Sequence, residues 1–94
     1  MPDVLWSPQA IEDVESIRAF IARDSTRYSD LVVESLVAAV ARLEKFPESG
    51  RVVPEFGAPD LREVIWRGYR VVYRLRPSFV EIATVFHGSM QFKL

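Results

Sequence analysis

Apolar residues in the first half of the chain recur at steps of three and four, the spacing that lines one face of an α-helix. Ala10, Val14, Ile17 and Ile21 form such a stripe, with Ile11 and Phe20 widening it. Ser7-Pro8 stands before it. A serine there accepts a bond from a free N–H of the first turn, and proline suits the first helical position. Glu12, Asp13 and Glu15 follow near that start, where the helix dipole favours negative charge. The spacing predicts a helix over 8–23. Asp24-Ser25-Thr26 then breaks the chain and supplies a second cap. Beyond it Val32, Leu36, Ala39, Leu43 and Phe46 repeat at steps of four and three. Val33, Val37 and Val40 broaden that face, and Pro47 ends the helix. Two helices joined by so short a link pack antiparallel.

After Pro47 the period changes. Residues 47–60 hold three prolines and two glycines and are expected to form a loop. The rest alternates with a period of two, the signature of strands. Strands are predicted over 61–66, 69–76 and 79–86, with a further short one over 4–6. Arg67-Gly68 makes a tight hairpin turn, because glycine accepts positive φ freely. Tyr69, Val71, Tyr73 and Leu75 point to one side of their strand; Arg70, Val72, Arg74 and Arg76 point to the other. Segment 79–86 is apolar at nearly every position, so it is expected in the middle of the sheet. The order is β-α-α-β-β-β, an α+β fold in which a helical hairpin packs on an antiparallel sheet. One domain spanning 1–94 accounts for the whole length.

Composition narrows the chemistry. A hydrophobic content of 49% supports a packed core rather than disorder. Cysteine is absent, which removes disulfides, thiolate metal sites and a cysteine nucleophile. No apolar run is long enough to span a membrane, and the start of the chain lacks the pattern of a signal peptide, so a cytoplasmic protein is expected. His87 is the only histidine, and no carboxylates show ligand spacing, so neither a metal nor a cofactor is expected. No glycine-rich phosphate loop and no nucleophile elbow is present. The net charge of −1 conceals an asymmetry, since residues 1–50 sum to −4 and residues 51–94 to +3.

The basic half concentrates Arg51, Arg62, Arg67, Arg70, Arg74 and Arg76, with Trp66, Tyr69, Tyr73 and His87 among them. Guanidinium forks bind phosphate, and aromatic rings stack on unpaired bases. Metal-free RNA cleavage would take a proton-moving tyrosine or histidine and arginines to hold the transition-state charge. On that reading Arg62, Tyr69, Arg70, Tyr73 and His87 are the catalytic candidates. The plainer reading places Tyr69 and Tyr73 in the core. It leaves Arg62 and Arg74 facing solvent, or pairing with Glu34 or Glu63.

Several short motifs occur in one order: Trp6-Ser7-Pro8-Gln9-Ala10, Phe46-Pro47-Glu48-Ser49-Gly50-Arg51, Leu61-Arg62-Glu63, Gly68-Tyr69-Arg70-Val71-Val72-Tyr73 and His87-Gly88. Together they resemble the RelE/ParE superfamily of type II toxin–antitoxin toxins across nearly the whole chain. The resemblance implies one of two activities. RelE-like members are ribosome-dependent endoribonucleases that cut messenger RNA; ParE-like members are associated with inhibition of DNA gyrase. In both, the carboxy-terminal segment of an antitoxin wraps the toxin.

Arg70 matches the arginine that RelE-like nucleases place on the scissile phosphate, and many ParE-like members share it. On the preceding strand the nucleases carry two alternating basic residues, where this chain has Arg62 and Val64. After His-Gly, an arginine is usual; here Ser89-Met90-Gln91 follow. The terminal tyrosine of some nucleases is replaced by Phe92, which transfers no proton. The long helical hairpin, the Pro-Glu-Ser-Gly-Arg loop and the near-neutral charge favour the ParE-like branch. The resemblance then implies gyrase inhibition and a ParD-like antitoxin that forms a hetero-oligomer with the toxin. The alternatives are an endoribonuclease acting on ribosome and mRNA, and a weakly toxic domain that only binds an antitoxin. Partner contacts are expected at Arg51, Arg62, Trp66, Arg70, Arg74 and His87, at Tyr28, Val33 and Val37, and along the tail over 86–94.

Overall fold

The computed structural model describes residues 2–88. Its elements are β1 (Asp3–Trp6), α1 (Pro8–Ala22), α2 (Thr26–Ala41), a 3-10 turn (Arg42–Glu44), β2 (Arg51–Val52), β3 (Leu61–Trp66), β4 (Tyr69–Leu75) and β5 (Phe79–His87). The five strands form one sheet in the order β1-β5-β4-β3-β2. Two helices on a largely antiparallel sheet make this an α+β fold, as the periodicity predicts.

Both helix starts form as the cap residues require. Ser7 Oγ accepts from Ala10 N at 3.0 Å and donates to Ala83 O at 2.9 Å, which ties the start of α1 to β5. Ser25 Oγ accepts from Tyr28 N at the start of α2. The hairpin is held side to side by Ser29 Oγ, which donates to Arg18 O at 2.7 Å.

The α2 helix carries four valines, each costing helix formation about 0.5 kcal/mol against alanine. Burial outweighs that cost. Val32, Leu36, Val40 and Leu43 are almost fully buried, and each such side chain contributes roughly 1.5–3 kcal/mol. They meet Val71, Tyr73, Val80, Ile82 and Val85 from the sheet to form the main core.

Four apolar residues expected to extend the buried helical faces are on the surface instead: Ile11, Phe20, Val37 and Phe46 are 52%, 69%, 47% and 61% exposed. The reason is geometric. A helix lying on a flat sheet buries a narrower stripe than one enclosed by other helices, so flanking apolar positions stay at the solvent boundary.

Two features of the sheet differ from the expectation. A two-residue strand, β2, forms inside the predicted 47–60 loop and pairs antiparallel with β3, setting Arg51 opposite Glu63. And β1 pairs with β5 in parallel, because the helical hairpin between them returns the chain in the same sense. The third long strand, β5, lies between β1 and β4, the inner position its apolar sequence predicts. The β3–β4 turn puts Arg67 at φ 47 and Gly68 at φ 85, the two left-handed residues of a tight hairpin.

The sheet face away from the helices has only a small apolar cluster, Val53, Leu61 and Val72, with Ala58 and Phe86 against it. Most of its remaining surface is charged.

Candidate functional site

The charged face is built by alternation. Leu61, Glu63 and Ile65 of β3 share the face of Arg70, Val72 and Arg74 of β4, because successive side chains of a strand point to opposite sides. Glu63 is thereby held in the sheet with its carboxylate wholly buried. Arg51 Nε donates to one of its oxygens at 2.6 Å and Arg70 Nε to the other at 2.5 Å. Arg70 also donates Nη1 and Nη2 to the two oxygens of Glu55, at 2.7 and 2.8 Å. Phe86 lies beneath this guanidinium, 5.3 Å from ring centroid to Cζ. The Arg70 bonds pull the Glu55 carboxyl from its ordinary 4.5 down to about 2. The same bonds raise the arginine's own pKa. Farther along, Arg74 and Arg76 both approach Glu81, at 3.9 and 3.3 Å. The arginines of this face therefore stand among carboxylates rather than as an open cationic surface.

Arg62 is on the other side of β3 and is used by the backbone. Its Nε donates to Pro59 O, and Nη1 donates to Glu48 O and Gly50 O, which stitches the 47–60 segment to the sheet. Neither Arg62 nor Arg74 pairs with Glu63 or Glu34. Strand parity turns Arg62 away from Glu63, and Arg74 has its cross-strand partner Glu81.

Tyr73 is fully buried. Its hydroxyl donates to Pro47 O at 2.7 Å and accepts from Gly50 N at 2.9 Å. A Cβ at Gly50 would come within 2.6 Å of both that hydroxyl and Glu63 O. This explains the Pro-Glu-Ser-Gly-Arg motif: it is the seam where the end of the helical layer docks on β4. Burial raises the Tyr73 pKa, so the group is a structural donor and not a base.

Tyr69, Trp66 and His87 gather at the hairpin end, on the helix side of the sheet. Tyr69 stacks near Trp66 with ring centroids 6.4 Å apart and meets His87 edge to face at 5.2 Å. Burial also raises the pKa of Tyr69. Arg67 lies over Trp66. A groove of about 720 Å³ opens beside them, lined by Ile17 and Phe20 of α1 and by Tyr69 and His87.

Arg70 and the pair Tyr69–His87 thus project from opposite faces. The sheet separates the one guanidinium suited to a phosphate from the groups suited to move a proton, and its fork is already filled. Of the expected partner contacts, Tyr28 is 47% exposed while Val33 is only 7% exposed and belongs to the core. Val33 is therefore out of reach of a partner. Ser89, Met90, Gln91 and Phe92 lie outside the described residues, as does most of the 86–94 tail.

Three groups that matter most went unread in the sequence. Glu55 and Glu63 looked like ordinary surface acids, and Asp13 like a helix-dipole residue. Asp13 Oδ2 in fact accepts from Thr84 Oγ1 at 2.5 Å and from Val85 N at 3.0 Å. It caps the edge of β5 beyond Ile82, where the pairing with β1 ends. A signal existed for Glu63: it alternates with Leu61 in a strand whose neighbour carries Arg70.

The family model described as ParE toxin of type II toxin–antitoxin system, parDE, matches residues 4–92. Among solved structures, the chain is similar to one of the chromosomal ParDE TA system from P. aeruginosa, with a TM-score of 0.77 and 17% identity over 93% of this chain and 96% of that one. At that identity the likeness speaks for the fold. No curated protein matches the sequence. The chain belongs to the ParE toxin family of type II toxin–antitoxin systems.

Proposed function

We propose that this ParE-type toxin acts by binding rather than by catalysis, with DNA gyrase in the cytoplasm as its target and a ParD-like antitoxin as its neutralising partner. A single domain over 1–94 carries the activity. The observation behind this reading is the filled fork of Arg70: its three nitrogens donate to Glu63 and Glu55 while Tyr69 and His87 face the other way. A phosphodiester-cleaving site needs the phosphate holder and the proton mover on one side of the substrate.

A toxin that holds gyrase in its cleaved-DNA state shifts a population among enzyme states and requires no acid–base group of its own. The exposed apolar residues of the helical hairpin, Phe20, Tyr28, Leu31 and Val37, supply surface for an antitoxin helix. Binding there produces the hetero-oligomer expected of a toxin–antitoxin pair.

Purified toxin in a gyrase supercoiling assay tests the proposal. Loss of supercoiling with accumulation of cleaved DNA, both reversed by the antitoxin, is the expected result. Unimpaired gyrase at large toxin excess overturns it. Discrete cuts in translated messages, lost in Arg70→Ala, would instead identify a ribosome-dependent endoribonuclease.

A further inference from the structure

Residues 53–60 cross the charged face of the sheet as a self-contained turn. Phe56 N and Gly57 N both donate to Val53 O, and Gly57 takes φ 65. Pro54, Glu55, Phe56 and Gly57 are all exposed. From this turn Glu55 reaches Arg70. The partners differ in setting: the arginine side chain is 12% exposed and the glutamate 43%. The cation belongs to the sheet, whereas the anion rides on a surface turn.

Arg70 is fixed from behind by Glu63 and by the ring of Phe86. Arg51 shares Glu63, so the three sheet residues Arg51, Glu63 and Arg70 carry two positive charges and one negative. Without Glu55 they would leave one net positive charge and two outward N–H donors on a largely buried guanidinium. That seat calls for an anion with two oxygens on one edge. Carboxylate and phosphate both satisfy a guanidinium fork in this way.

We propose that Arg70 is an oxyanion seat and that Glu55 is its built-in occupant, which yields to a phosphate group when the 53–60 turn lifts. The tethered carboxylate competes at an effective concentration of order millimolar, so the seat stays closed to dilute phosphate. Free phosphate and a nucleic-acid phosphodiester present the same chemistry to the fork.

Titration of the full chain and of Glu55→Gln with inorganic phosphate, and separately with a short single-stranded oligonucleotide, tests this. The readouts are the Arg70 Nε–Hε NMR signal and the thermal midpoint. The substitution keeps the shape of the side chain and removes the competing charge. It is expected to lower the saturating concentration of at least one probe by about tenfold, the loss of a millimolar competitor. That probe should also raise the midpoint of Glu55→Gln more than that of the wild type. Inorganic phosphate alone would point to a free anion, and the oligonucleotide alone to a phosphodiester. Neither probe binding Glu55→Gln better than wild type overturns the proposal. So does a response that survives in the double variant Glu55→Gln/Arg70→Gln. If Glu55→Gln does not fold, the wild-type Glu55 carboxyl ¹³C signal serves: movement on phosphate addition supports displacement, and a fixed signal at high phosphate overturns it.

Discussion

Nε of Arg70 donates to Oε1 of Glu63 across 2.5 Å, and the accepting carboxylate has no exposed side-chain surface. The pair joins neighbouring strands on the face away from the helices, and Arg51 completes it from β2. Removing one member of a buried pair leaves the other charge without its counterion, which usually costs more than the intact pair contributed.

Glu63→Ala is therefore expected to destabilise the fold by about 3 kcal/mol, toward the lower end for a broken buried pair because Arg70 keeps Glu55. Urea denaturation measures it. A loss below about 1 kcal/mol would place the pair in the class of weak surface bridges.

Tyr73→Phe should cost about 1–3 kcal/mol, since Pro47 O and Gly50 N each lose a buried partner. Growth arrest is expected to persist at a temperature where the variant is folded. Abolished toxicity at unchanged stability would move the hydroxyl from the scaffold to the mechanism.

Asp13→Ala should cost about 1–3 kcal/mol and speed hydrogen exchange at Val85 more than at Val71, because Val85 N loses its acceptor beyond the end of β1. Thr84→Val, which keeps the Val85 bond, should reproduce the stability loss only in part. Equal exchange at both amides in Asp13→Ala would show that α1 does not close this edge.

Acid exposes the Glu55 contribution. Its carboxyl is depressed in the folded state, so the ion pair stabilises fully above the ordinary 4.5 and the benefit fades as pH falls through about 2. The thermal midpoint of the wild type should drop across that window, and that of Glu55→Gln should drop less. Parallel curves would mean that Glu55 has the same affinity for protons in the folded and unfolded chain.

Local signals made much of the fold legible. Ser7 and Ser25 cap helices where a serine before an apolar stripe predicts a cap, and Arg67-Gly68 turns where a left-handed pair fits. The β2 strand was hidden because two residues carry no period. Phe20, Val37 and Phe46 were misplaced because period alone does not state how wide a neighbour the helix will meet.

The sequence by itself determined the order of helices and strands, the membership of the family and the alternation that sets Tyr69 and Arg70 on opposite faces. Those follow from spacing along one chain, which covalent geometry enforces locally. Only the tertiary structure decided what the arginines do. Arg70 holds Glu55 from 15 positions away, Asp13 reaches Thr84 across 71, and Gly50 must be small because Tyr73 arrives from 23 positions on. Such partners are chosen by which groups packing brings within hydrogen-bond reach, and a buried charge then keeps the partner it finds because leaving it would mean desolvation without compensation.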